Sequence, residues 1–77
     1  MTNKPPICAA DIPPEWSEMV AEIIHRNGQA IRAHATMPLI EVKSLRDNSW
    51  GVLMLHGSGT LFATAEDRDA VLRRIVG

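Results

Sequence analysis

Trp50-Gly51-Val52-Leu53-Met54-Leu55-His56-Gly57-Ser58-Gly59-Thr60-Leu61-Phe62-Ala63 is the stretch on which the fold turns. From Trp50 to His56 both alternating sets of positions are apolar, as they are in a strand at the middle of a sheet. Gly57-Ser58-Gly59 offers a short hairpin loop, so Thr60–Ala63 reads as a returning strand.

Upstream, Asp47-Asn48-Ser49 is turn chemistry, because Asx side chains bond back to nearby backbone and tolerate positive φ. Leu39–Arg46 alternates, with Ile40, Val42 and Ser44 on one side and Glu41 and Lys43 on the other. From Gln29 to Met37 the period is also two: Ile31, Ala33, Ala35 and Met37 against Arg32, His34 and Thr36. Gly28 and Pro38 bound those nine residues, which fit a strand despite the preference of alanine for helix.

Pro14–Asn27 changes period. Trp16, Met19, Val20, Ile23 and Ile24 fall at i, i+3, i+4, i+7 and i+8, one face of a helix, with Trp16 as its expected core anchor. Pro14 suits the first helical position, and Gly28 can take the left-handed conformation beyond the last. At the other end of the chain, Thr64 is an N-cap three residues before Asp67. Val71, Leu72, Ile75 and Val76 form the buried stripe of a second helix. The expected fold is α+β: an N-terminal helix, a four-stranded antiparallel meander and a C-terminal helix, both helices on one sheet face. Residues 1–13, with Pro5, Pro6 and Pro13, are expected as an extended arm, and 14–77 as one small domain.

Composition bounds the rest. At 77 residues only one core is possible, and a core of this size supplies about 3–5 kcal/mol. One cysteine, Cys8, allows no intrachain disulfide and points to a reducing compartment. Eight Lys plus Arg against nine Asp plus Glu leave a net charge of −1. No global field therefore draws nucleic acid or an anionic membrane. No transmembrane span and no signal-peptide apolar region are expected, and the location reads as cytoplasmic.

The candidate chemistry is sparse. Cys8, His25, His34 and His56 lie at no metal-ligand spacing, so neither metal nor cofactor is expected. His56-Gly57-Ser58-Gly59 leads into a strand rather than opening a helix and lacks a phosphate-binding lysine, so it reads as a turn. Cys8 in a proline-rich arm has no adjacent base to make it a nucleophile. Glu18 and Glu22 share a helix face opposite the apolar stripe and read as a solvated surface, available for docking on a basic partner. No catalytic residues are assigned, and no enzyme is expected.

One mismatch points to binding. Two helices cover one face of a four-stranded sheet, yet the third strand has Trp50, Val52 and Met54 on one side and Leu53 and Leu55 on the other. Leu45 and Phe62 add to the side left open, and large exposed apolar patches mark interfaces. Trp50, Leu53, Met54, Leu55 and Phe62, with Glu18 and Glu22, are therefore the candidate protein-interface residues. The expected function is a non-catalytic module that occupies a surface of a larger protein, by analogy of size with phage-encoded inhibitors of the anti-CRISPR kind. The alternative is a homodimeric accessory or structural protein that pairs through its open sheet face.

Overall fold

The computed structural model describes residues 6–55 and 58–77, the side chains of 55, 58 and 59 excepted. Two helices and a three-stranded antiparallel sheet make up the α+β fold. Helix α1 spans Pro14–Asn27 and α2 Ala65–Val76. Strands β1 (Ile31–Ala33), β2 (Ile40–Lys43) and β3 (Trp50–Val52) pair in the order β1-β2-β3, while β4 (Met54–Leu55) and β5 (Ser58–Gly59) form a separate small hairpin.

The fourth strand of the expected meander is absent from this sheet, and the register shows why. Glu41 faces Val52, whereas Leu39, two residues earlier in β2's chain, faces Leu61. While one chain retreats two residues the other advances nine, so the seven residues Met54–Thr60 are looped out of the ladder. Leu53 still donates its N–H to Ile40 (2.8 Å). Thr60 then returns to bond the Leu53 carbonyl (3.2 Å), and Phe62 donates to Pro38 (2.8 Å). Thr60–Ala63 therefore does not fold back beside β3 but resumes β3's place along the same partner. The hairpin also closes earlier than expected, since Ser58 and Gly59 pair with Leu55 and Met54. His56 and Gly57 of the expected loop lie outside the described residues, as does the start of the N-terminal arm.

Ile7 supplies the rung next to Phe62, in parallel. It donates to Leu61 (2.9 Å) and accepts from Ala63 (3.0 Å). A short 3-10 turn, Ala9–Asp11, then carries the chain to Ile12, whose side chain is in the core.

The helix ends follow their sequence signals. Gly28 takes φ 66° and donates its N–H back into the last turn of α1, and Gln29 bonds Ile24 (3.0 Å). Thr64 Oγ1 accepts the Asp67 N–H at 3.1 Å, capping α2. Between β2 and β3, Asn48 sits at φ 62°, and Ser49 donates both its N–H and its hydroxyl to Asp47 Oδ1 (3.1 and 2.6 Å). Those bonds hold the Asp47 carboxyl below its ordinary value.

Strand β1 is shorter than its alternating pattern. After Ala33 the chain bends, because His34 Nδ1 accepts the backbone N–H groups of Thr36 (3.1 Å) and Met37 (3.0 Å). A ring nitrogen offering local bonds competes with the ladder that the alanines support only weakly. Arg68 of α2 fastens this bend. Its Nη1 donates to the carbonyls of His34 and Met37, both at 3.1 Å, while Nε pairs with Asp69 at 2.9 Å. The guanidinium is largely buried, and bonds from charged donors contribute about 1.5–3 kcal/mol each. Arg68→Ala should therefore lower the unfolding free energy in urea by about 2 kcal/mol or more. A loss below about 0.5 kcal/mol would show that the bend holds without it.

The core lies between the helices and the inner sheet face: Ile12, Ile24, Ile40, Phe62, Val71 and Ile75, with Val20, Ala21, Ile31, Val42 and Leu53 packed around them. Helix α1 is rotated from its expected orientation. Ser17 and Ile24 are buried, whereas Met19 (53% exposed) and Ile23 (44%) face outward and Trp16 is only half-buried. Ser17 and Ala21, one turn apart, lie on the inward side of α1, which packs against α2. Ser17 Oγ is buried with no hydrogen-bond partner among the described residues. Removing an unsatisfied hydroxyl while improving helix propensity is favourable. Ser17→Ala should stabilise the domain by about 1 kcal/mol, seen as a melting temperature raised by about 4–8 °C. A lower Tm would mean that the hydroxyl is bonded.

Candidate functional site

The strand alternation sorts the sheet into two chemically different faces. Ile31, Ala33, Ile40, Val42 and Leu53 turn inward. Arg32, Glu41, Lys43, Trp50 and Val52 turn outward, as the pairings Arg32 with Glu41, Glu41 with Val52 and Lys43 with Trp50 require. Leu61 joins this outer face, because it sits opposite Leu39, two positions from Glu41. The result is an outward column of Trp50, Val52 and Leu61 beside a charged row.

Arg32 ties the two together. Its Nε bonds Glu41 Oε1 at 3.0 Å, and its guanidinium carbon lies 3.8 Å from the centroid of the Trp50 ring. This cation–π contact fixes a long, rotamer-rich side chain over the indole. Val52 and Leu61 are each 37% exposed, and Met54 is 51% exposed at the start of the neighbouring hairpin. The outer face is thus a preset group of tryptophan, arginine and aliphatic side chains rather than a plain polar surface.

Only part of the expected interface is brought together. Trp50 and Met54 are accessible. Phe62 is in the core, 1% exposed, and Leu53 packs against the same cluster, so neither presents an apolar surface to a partner. The Leu55 side chain lies outside the described residues. Glu18 and Glu22 stand exposed on α1, in the helical layer on the other side of the sheet. Glu22 is already engaged by Arg26 at 2.6 Å in an i, i+4 pair. Such an exposed pair contributes little. Arg32, Val52 and Leu61 complete the outer face in their place. Arg32 and Val52 were readable from alternation, but Leu61 was not, because its side depends on the looped-out hairpin.

The remaining chemistry is dispersed. Cys8 is partly accessible, and its partial burial, then the neighbouring Asp67 and Asp11 carboxylates, push its thiol above the ordinary value. That is the opposite of the shift that activates a thiolate. No group of three or more His, Cys, Asp and Glu converges among the described residues, and none of the described helices is long and apolar enough to cross a membrane. A shallow hollow of about 510 Å³ lies at the end of α2, lined by Leu72, Arg73, Val76 and Gly77. Its walls are mainly apolar and Arg73 is its one charged member. No family model, curated protein or solved structure matches this chain.

Proposed function

We propose that this domain is a non-catalytic binding module that acts in the cytoplasm by laying the outer face of its sheet on a larger protein and occupying a surface there. The observation that carries the reading is the Arg32–Trp50 stack flanked by accessible Val52 and Leu61. Tryptophan and arginine are the residue types that dominate binding energy at protein interfaces, and a pre-positioned pair loses little conformational freedom on docking. The scale of the domain suits an inhibitor that blocks by coverage, as small phage and mobile-element proteins of the anti-CRISPR type do.

Affinity capture followed by binding measurement with the captured protein tests this. Trp50→Ala and Leu61→Glu, each folded by circular dichroism, should weaken binding roughly 30-fold or more. Met19→Glu, on the helical side, should leave it unchanged. The reverse pattern would place the binding surface on the helices.

A further inference from the structure

We propose that the edge of β3 turned away from β2 pairs with β3 of a second copy of this chain, joining two domains into one six-stranded antiparallel sheet about a two-fold axis at Gly51. The direction of the backbone groups is the starting point. Ser44 donates to the Ser49 carbonyl and Leu53 donates to the Ile40 carbonyl, so these are hydrogen-bonded pairs of the β2–β3 ladder. Such pairs alternate along an antiparallel ladder, which makes Val42–Gly51 the next one. Trp50 and Val52 therefore turn their N–H and C=O groups away from β2. Among the described residues these groups have no backbone partner.

Edge strands are ordinarily protected by charge, proline or a bulge. Residues 48–55 contain neither a proline nor a Lys, Arg, Asp or Glu. The edge is also complementary to itself. With two β3 strands set antiparallel about Gly51, Trp50 lies opposite Val52 of the second copy and Val52 opposite its Trp50. All the outward N–H and C=O groups then bond across the axis. On the outer face this places an aromatic ring beside a β-branched side chain, a favourable cross-strand pair. On the inner face glycine meets glycine, where even a Cβ would touch nothing within 4 Å. Of the outward cations, Arg32 is bonded to Glu41, and Lys43 stands on β2, one strand in from the edge, so no like charges lie directly opposite each other at the axis.

This inference stands apart from the binding reading above. It uses the edge of the sheet and leaves the outer face open, doubled in area. Wild-type protein should sediment as a dimer in equilibrium with monomer. Val52→Pro removes an outward donor at an edge position where proline is compatible with a strand, and should sediment as a folded monomer. Independently, in a Cys8→Ser background, Gly51→Cys should form a disulfide-linked dimer in glutathione buffer. Facing residues of a non-hydrogen-bonded pair lie about 4.5 Å apart at Cα, within disulfide range. Leu45→Cys in the same background, on the exposed turn, should not cross-link comparably. Leu61→Glu, away from the axis, should remain dimeric even where it abolishes partner binding. A wild-type monomer at all concentrations, or cross-linking of Leu45→Cys as fast as Gly51→Cys, would overturn the proposal. The cysteine pair decides if Val52→Pro fails to fold.

Discussion

Phe62→Ala is expected to leave the domain unfolded at 25 °C. Phe62 is the largest fully buried side chain, 1% exposed, and it belongs to the cluster that joins both helices, Ile12 and the sheet. Truncating a buried phenylalanine costs about 3–5 kcal/mol from lost transfer energy and the cavity left behind. One core of this size supplies about as much in total. Far-ultraviolet circular dichroism should therefore show no cooperative thermal transition for Phe62→Ala, while Phe62→Leu, which keeps most of the volume, should still melt cooperatively. A cooperative melt of Phe62→Ala within a few degrees of wild type would mean that the cluster is not the centre of stability. Trp16, the anchor expected from the helical stripe, is only half-buried, and its truncation should cost less than that of Phe62.

The second large effect is a contrast between neighbours in sequence. Leu53 sits opposite Ile40 on the inner face and packs on the core, whereas Met54 is 51% exposed. A carboxylate at Leu53 must be desolvated without a partner, which costs several kcal/mol. The same charge at Met54 stays in water, and exposed substitutions of that kind typically change stability by less than about 0.5 kcal/mol. Leu53→Glu should accordingly unfold the domain, and Met54→Glu should retain the wild-type urea midpoint. Equal midpoints for the two variants would contradict the side on which Leu53 is placed.

Much of the fold was legible where local chemistry decides it. Pro14, Gly28, Thr64 and Asp47-Asn48-Ser49 bound their elements as their side chains and backbone freedom require. Ile31, Ile40 and Val42 turn inward as alternation demands. Legibility failed at Met54–Thr60. Seven is odd, so the detour reverses the alternation: Trp50 and Val52 face outward, yet Phe62, of the same parity, faces the core. A period-two pattern read straight through therefore places Phe62 with the surface and Leu61 with the core. Nothing local marks the reversal, because it is set by the distant pairing of Leu61 with Leu39. The orientation of α1 escaped for a related reason. Its apolar arc is wider than the face it buries, so Met19 and Ile23 stay exposed while Ser17 and Ile24 are buried. Of the candidate site, Trp50 was visible as an interface residue without its face being assigned, and Arg32 as an alternating position of β1, but the contact between them was not. Arg32 reaches Trp50 across β2, a relation that exists only once three strands are in register.

The detour between Leu53 and Leu61 also bears on how this protein can vary. Both flanks are held by their own bonds to the stretch Pro38–Ile40, so their positions do not depend on how much chain runs between them. Lengthening a loop twofold adds only about 0.6 kcal/mol of closure entropy. Residues can thus be gained or lost there, in odd or even number, without turning any side chain of the sheet to its other face. In an uninterrupted strand a single insertion would invert everything beyond it. Here the ladder carries its own reset point, a place where homologous chains can diverge in length and where a foreign peptide can be displayed while the rest of the molecule keeps its register.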